Sequence, residues 1–466
     1  MKHNHSEKFH TLRAAYPFFK FESQGYHLSK NGLNVEYVFN LSDRFYFKPS
    51  FYIPRKDLMT VDEHFSKDLS ILLFNIGLIE LISYWKLTCS PLLIIAPFSL
   101  TPHQISFWKK LYFNGLAEFF YLNSISADEA SFMQIQAESG SQAERMKSHS
   151  LKGLIIPIGG GKDSAVTLEI LGTGRKALPL IMNPRKATLE TIAAKGYDSN
   201  RYFEIQRSLD PRLLQMNSEG YLNGHTPFSA LLAFYTLLAA SMTGRCDIAL
   251  SNESSANEAT IEGTTINHQY SKSVAFESDF RKYVRQYISG EINYFSFLRP
   301  LNELRIAALF SGYTAYHALF RSCNAGSKTD SWCGHCAKCL FTYIILSPFL
   351  SSEALINIFG KNLLEEESDP VIKTLFDQLT GIAEEKPFDC IGTIDEVNLA
   401  LCETLRRTRE DHLPSLLNYY KNSEPFHRYN PLNFQDSLNQ SDPEHFLSQQ
   451  YLRFLTDAWN LKTAQT

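Results

Sequence analysis

The chain has 466 residues, of which 44% are hydrophobic and 20% charged, and a net charge of -4 at pH 7. That length corresponds to roughly three domains, and the composition describes a folded protein with a large core, not a disordered or low-complexity chain. A slightly acidic chain offers no general electrostatic case for nucleic acid, and no nucleic-acid partner is expected.

The first residues, Met1 to Ser6, lack the apolar stretch of a signal peptide. Phe19, Phe21, Tyr26 and Leu28 fall on alternate positions, as do Leu33, Val35, Tyr37 and Phe39. Ser29-Lys30-Asn31-Gly32 separates the two runs, and Asn-Gly between alternating runs signals a hairpin. A β-meander is therefore predicted over 16–54, then a helix near Leu69 to Trp85 and a strand from Leu92 to Ala96. Residues 126–150, with Ala127-Asp128-Glu129 followed by Gln, Ser and Lys, read as a linker. Residues 1–145 thus form an N-terminal β-rich α+β region.

Residues 150–350 alternate strands and helices. Leu154 to Ile158 is an apolar strand that breaks into Gly159-Gly160-Gly161-Lys162-Asp163-Ser164 and then a helix. Ala177 to Met182 is the next strand, and Ala187 to Gly196 a helix with a C-cap glycine. Tyr202 to Ile205 is a third strand, Phe228 to Met242 a buried helix, and Asp247 to Leu250 a fourth strand. Such alternation implies an α/β fold, a parallel sheet with helices on both faces. Ligands bind such sheets at the carboxyl ends of the strands, where Gly159 and Ser251 lie. Residues 351–466 read as a polar helical C-terminal region without a usable motif. The longest apolar runs, such as Ala230 to Met242, fall short of a bilayer span, so a cytoplasmic protein with no membrane partner is expected.

The glycine turn is the strongest chemical signal. Three glycines let backbone N–H groups approach a ligand closely, and the helix N-terminus behind them adds unpaired donors and partial positive charge. A phosphate chain fits both features. The pattern is neither a Walker A loop, since Ile156 and Asp163 replace the glycine and hydroxyl residue it needs, nor a dinucleotide fingerprint, since Ser164 replaces the third glycine. Asp163 beside phosphates calls for an intervening cation such as Mg²⁺.

Ser251, Asn252 and Glu253 follow the fourth strand directly and suit Mg²⁺ or substrate, although short polar residues also build ordinary turns. Asn267 to Ser273, with His268, Tyr270 and Lys272, is dense in hydrogen-bonding groups. Arg299, Glu303 and Arg305 are candidates for an acidic ligand or for a structural Arg–Glu network. Four of the eight cysteines, Cys323, Cys333, Cys336 and Cys339, fall within 17 positions. Four thiolates complete a closed tetrahedral Zn²⁺ site of structural type, with an iron–sulfur cluster as the alternative.

The run Gly159 to Ser164 resembles the PP-loop of the ATP pyrophosphatase superfamily, with glycine where serine usually stands. That resemblance implies cleavage of ATP between the α and β phosphates. The cysteine cluster after the loop resembles the 7-cyano-7-deazaguanine synthases, which are much shorter. Over nearly the whole chain, the segments Phe21–Phe39, Gly77–Lys86, Gly115–Asn123, Gly159–Ser164, Ser251–Asn257, Asn267–Ser273, Ser296–Arg305 and Trp332–Phe341 are similar to the ATP-dependent UDP-N-acetylmuramoyl-L-alanyl-L-glutamate epimerase (MurL) family. That family inverts the terminal L-glutamate of a UDP-linked muramoyl dipeptide through carboxylate adenylation, for peptidoglycan synthesis. The resemblance implies ATP and Mg²⁺ as cofactors. It implies phosphate binding at Gly159, Gly160, Gly161 and Ser164, charge offset by Lys162, and Mg²⁺ at Asp163 and Glu253. Arg299, Arg305, Lys272 and His268 become candidates for the acidic peptide or the diphosphate. For the two proton-transfer groups His268, Lys272, Tyr270 and Cys390 are the candidates, since a thiol is a recurrent racemase base. A nucleotide-binding protein without catalysis and a tRNA-modifying PP-loop enzyme are the other classes, the latter requiring a basic groove.

Overall fold

A computed structural model describes residues 4–57, 63–138, 140–147, 151–173, 177–198, 200–258, 260, 261, 264 and 266–464. Among the described residues, eleven strands form one mixed sheet: β1 (Phe18–Leu28), β2 (Gly32–Leu41), β3 (Phe45–Phe47), β4 (Ser50–Pro54), β5 (Leu92–Ile95), β6 (Gln134–Ala137), β7 (Leu154–Pro157), β8 (Ala177–Met182), β9 (Phe203–Ser208), β10 (Asp247–Leu250) and β11 (Asn293–Ser296). Their order is β11-β10-β7-β8-β9-β4-β2-β1-β5-β6, with β3 on β2.

The Asn-Gly hairpin forms as expected, with Leu28 opposite Leu33 across an antiparallel pair and a bulge between Phe21 and Ser23. The meander closes through β3 and β4, which both pair with β2. β7, β8, β9, β10 and β11 run parallel, as the alternating pattern implies. Side chains on these strands alternate between two cores. Ile155, Leu180, Ile248 and Leu250 join a core shared with the N-terminal region. Leu154, Ile156, Ile181 and Ala249 join a second core built with the C-terminal helices. Burial on both faces accounts for the continuous apolar runs of a parallel sheet.

Three features depart from the sequence reading. β4 pairs antiparallel with β9, Ser50 opposite Ser208, so the N-terminal strands and the parallel strands share one sheet. Within the stretch read as a linker, of which residues 139 and 148–150 lie outside the described residues, Gln134–Ala137 adds β6 in parallel to β5. Its alternating exposure explains the polar composition of an edge strand. The helix Glu63–Trp85 contains an 18-residue window, Asp68–Trp85, long and apolar enough to cross a membrane, contrary to the expected absence of such a run. That window is 94% buried inside the protein. Its packing is close enough that a Cβ at Gly77 would lie 2.4 Å from the Phe21 ring. Within it the buried Glu80 accepts two hydrogen bonds from Arg207, at 2.8 and 2.6 Å.

Chain order sets the position of the site. From β7 the chain steps to β8 and β9 on one side, then returns to place β10 and β11 on the other. The carboxyl ends of β7 and β10 therefore flank a topological switch point, where the loops diverge and leave a crevice.

Candidate active site

The glycine turn leaves β7 at that switch point. Gly160 adopts φ +81°, and an added Cβ would press on Ala187 and Thr188 at 3.3–3.4 Å. Gly161 begins the helix Lys162–Leu171 without a side-chain cap, so the first N–H groups of the helix keep their donor capacity for a ligand. A Cβ at Gly159 would meet nothing within 4 Å, which leaves open space over the turn. Arg321 N–H donates to the Gly160 carbonyl at 2.7 Å. Arg185 donates to the carbonyls of Gly159 (3.2 Å) and Ser327 (3.0 Å), tying the turn to the cysteine-bearing loop.

Lys162 is only 5% exposed and points back across the turn. Its ammonium contacts Asp163 at 2.5 Å and also Glu303, at the start of the helix Glu303–Ser311. Burial opposes its charge, but Asp163 and Glu303 more than offset that and hold its pKa above the ordinary lysine value. Burial pushes the Glu303 carboxyl upward, against the pull of Lys162. Glu253, from the loop after β10, completes a trio with Asp163 and Glu303 whose carboxylate oxygens lie within 4.8 Å of one another. Three carboxylates so close together form a donor set suited to a hard divalent cation.

Arg299 organises this floor from below. It is fully buried, and its guanidinium donates to the Glu253 carbonyl at 2.5 Å and to the Lys272 carbonyl, with Glu277 at 3.5 Å. Its fork is committed to the protein, so the expected substrate contact is corrected: Arg299 positions the loops that carry Glu253 and Lys272. Arg305 lies elsewhere, its guanidinium stacked 4.6 Å from the Trp459 ring on the C-terminal helix. Packing on that aromatic face accounts for it and removes it from the ligand candidates. Glu303, read as a substrate contact, instead faces Lys162.

A second cluster adjoins the first. Cys390, in a loop before the helix Ile394–Arg407, lies beside His268 and Lys272, whose charges act on its thiol. Gln269 fixes this loop by donating to the Ile391 carbonyl at 3.2 Å. Gly392 allows the close approach, since a Cβ there would lie 2.9 Å from Glu303 Cγ and 2.5 Å from Glu396 Oε2. Glu396 accepts the Glu303 N–H at 2.7 Å, locking the two clusters together. His268 Nδ1 lies 2.5 Å from Glu118 Oε2, and His225 Nδ1 lies 3.3 Å from the same oxygen. These three groups also lie within 4.8 Å of one another.

The charges follow from that arrangement. Burial would raise the Cys390 thiol, but Lys272 and His268 more than offset it and bring it down to about 6. Burial opposes the His268 charge, yet its bonds to Cys390 and Glu118 raise it to about 9. Burial and the neighbouring His268 push His225 down to about 4, keeping it neutral. Lys272 is held above its ordinary value, burial being outweighed by Cys390, Glu253 and Asp163. The lysine thus lies between the carboxylate trio and the thiol.

The cysteine quartet closes as the spacing suggests. Sγ separations are 3.7 Å for Cys323–Cys336, 3.7 Å for Cys333–Cys339 and 3.4 Å for Cys336–Cys339. A tetrahedral Zn²⁺ with metal–sulfur bonds near 2.3 Å needs separations of about 3.8 Å. Backbone N–H groups of Gly326 and His335 point at Cys323 Sγ (3.1 Å) and Cys333 Sγ (3.4 Å), as thiolates require. The donor set fits a single ion.

Two family models match the chain: the MurL N-terminal domain over residues 10–297 and the MurL C-terminal domain over residues 319–427. The chain belongs to the MurL family. Among its relatives, the UDP-N-acetyl-alpha-D-muramoyl-L-alanyl-L-glutamate epimerase of Xanthomonas oryzae pv. oryzae (strain MAFF 311018) is 32% identical over 334 residues, covering 70% of this chain and 72% of its own. The proteins of the same name from Salinispora tropica and Micromonospora sp. (strain ATCC 39149) are each 32% identical, covering 69% of this chain and 70% and 71% of theirs. No solved structure matches. This MurL member is an enzyme of the isomerase class.

Both matched MurL segments contribute to the site. The first carries the glycine turn, Glu118, His225, Glu253, His268 and Lys272; the second carries the quartet and Cys390. Of the residues read from sequence, Gly159, Gly160, Gly161, Lys162, Asp163, Glu253 and Glu303 converge on one face, joined through Lys272 to Cys390 and His268. Ser164 donates to the Gly161 carbonyl at 2.9 Å and closes the helix start. Asn252 donates to Ser296 Oγ at 3.0 Å and supports the loop after β10, whereas the buried Ser251 Oγ has no hydrogen-bond partner among the described residues. Tyr270 packs edge-on against Phe276, with ring centroids 6.2 Å apart. Glu118, His225, Arg185 and Glu396 were missed. Glu118 and Glu396 resemble the ordinary acids of a helix first turn, and lone histidine and arginine residues carry no spacing signal.

Proposed function

We propose that this protein epimerises the terminal L-glutamate of UDP-N-acetylmuramoyl-L-alanyl-L-glutamate to D-glutamate, with ATP activating the carboxylate and AMP and diphosphate released. The arrangement that supports this most is Lys272 between the carboxylate trio beside the glycine turn and the Cys390 thiol. A site that only bound a nucleotide would need the first half alone.

The chemistry requires both halves. An α-proton beside a carboxylate is hard to remove because the product carries two adjacent negative charges. Joining AMP to that carboxylate cancels its charge and gives a carbonyl that accepts the carbanion's electron pair. One group then takes the proton, another returns it on the opposite face, and water releases AMP. The open N–H groups of Gly159–Lys162 receive the phosphate chain, and Lys162 offsets its charge. Asp163, Glu253 and Glu303 hold Mg²⁺, which supplies charge neutralisation on the phosphates. Cys323, Cys333, Cys336 and Cys339 hold a structural Zn²⁺. The PP-loop assignment belongs to this reading, as does a cytoplasmic location, where ATP and a UDP-linked peptidoglycan precursor meet.

Purified protein supplied with ATP, Mg²⁺ and the UDP-linked dipeptide is expected to form D-glutamate in the peptide with stoichiometric AMP, read by chiral chromatography and nucleotide analysis. AMP without inversion would move the search to another carboxylate substrate. Inversion with ADP in place of AMP would contradict the adenylation.

A further inference from the structure

We infer that Cys390 is one of the two groups that move the Cα proton, working as a thiolate held between His268 and Lys272, with Glu118 as the positioning residue behind His268. The inference rests on the epimerase reading above.

Geometry carries it. The loop that carries Cys390 is pinned to the segment of His268 and Lys272 by the Gln269–Ile391 hydrogen bond, and Gly392 in the same loop lies against Glu303 of the carboxylate trio. The His268 ring bridges Cys390 and Glu118, the arrangement by which a carboxylate fixes an imidazole and the imidazole stabilises an anion. His225 makes the second contact to Glu118, and its ring centroid lies 4.5 Å from that of His268 with the rings tilted by 52°. The loop is braced on both sides. Tyr121 donates to Glu385 at 3.1 Å and packs on Phe388, and Asn324 donates to Asp389 at 2.8 Å. A merely structural cysteine in a core would not gather two cations. The other cysteines outside the quartet show the contrast, since burial raises Cys89, Cys246 and Cys402 instead.

The step balances with water. The thiolate takes the Cα proton of the activated glutamyl residue, the C–H bond breaks, an S–H bond forms, and the electron pair moves onto the acyl oxygen. A proton derived from water restores the C–H bond from the opposite face, and the thiol ionises again by returning its proton to water. The groups facing Cys390 and its partners are Lys272 and His268, Lys338 from the helix Ala337–Leu346, the neighbouring Asp389, and Glu118 and His225 behind His268.

The test follows wild type, Cys390→Ala, Cys390→Ser and Glu118→Gln in deuterium oxide with ATP, Mg²⁺ and the dipeptide. The readouts are dipeptide-dependent exchange of labelled diphosphate into ATP, Cα deuterium and inversion. Wild type should show all three. Both Cys390 variants should retain diphosphate exchange while inversion falls by roughly 10²–10⁴-fold, the scale of a lost acid–base group. In wild type the inversion rate should rise through about pH 6, because the base must be deprotonated. Glu118→Gln should move that limb to higher pH, since a less cationic His268 stabilises the thiolate less. Inversion within a few-fold of wild type in Cys390→Ala would overturn the role. So would a second equivalent of tightly bound metal lost in His268→Gln, which would assign this cluster to a cation. A wild type that forms neither AMP nor D-glutamate would instead overturn the epimerase reading, and this role with it.

Discussion

Lys162→Met is expected to lower AMP formation by roughly 10²–10³-fold, the cost of removing one preorganised charge partner from a developing anion. Lys162 directly follows the three glycines of the turn, and its ammonium already sits between Asp163 and Glu303. Without it, Asp163 and Glu303 face the phosphate chain without their ammonium partner, so ATP affinity should fall together with turnover. The same change leaves two acids near a buried gap, and breaking a buried pair costs about 3–5 kcal/mol. Lys162→Arg separates the two effects. It keeps the charge and the fold, but a planar fork replaces the compact ammonium, and AMP formation should still fall. AMP formation within twofold of wild type in folded Lys162→Met would remove the glycine turn from ATP chemistry.

Loss of the cysteine quartet is expected to have the largest effect on stability, and to reach the nucleotide site as well. Metal analysis should find one zinc per chain. Cys333→Ser should lower Tm by about 10 °C, from a loss of about 3–5 kcal/mol at 2–4 °C per kcal/mol in a large domain. The route to the site is short. Arg321, two residues before Cys323, donates to Gly160, and Arg185 bridges Gly159 to Ser327 within the quartet's loop. ATP affinity should therefore fall on chelation before the chain unfolds, as followed by nucleotide binding and circular dichroism in parallel. Full ATP affinity in zinc-free protein would contradict this coupling, and iron with acid-labile sulfide would contradict the zinc assignment.

Local signals in the sequence located much of the fold. The Asn-Gly hairpin, β8, β10 and the helix Phe228–Met242 arise from turn chemistry and apolar periodicity, which act over a few residues. The pairing of β4 with β9 joins Phe51 to Arg207, and no local pattern encodes a contact so distant in the chain. β6 was hidden because Gln134 and Gln136 face outward at an edge, which makes a strand look like a loop. At the site, the glycine turn and the quartet were legible because each is contiguous. The thiol cluster was only half legible. His268 and Lys272 share a segment, but Glu118, His225 and Cys390 come from three others and meet only through tertiary packing. Arg299 shows the converse, since an arginine suited to an acidic ligand proves to be spent on the carbonyls of Glu253 and Lys272.

The central claim is that ATP activates the glutamyl carboxylate so that its α-proton can be removed. The most direct test is Cα deuterium incorporation into the UDP-linked dipeptide in deuterium oxide, with ATP, without ATP, and with an ATP analogue that cannot be cleaved between the α and β phosphates. Deuterium at Cα only with cleavable ATP, alongside AMP, is the predicted result. Exchange or inversion at an undiminished rate without ATP would show that the thiol acts on the free carboxylate, and would contradict the account.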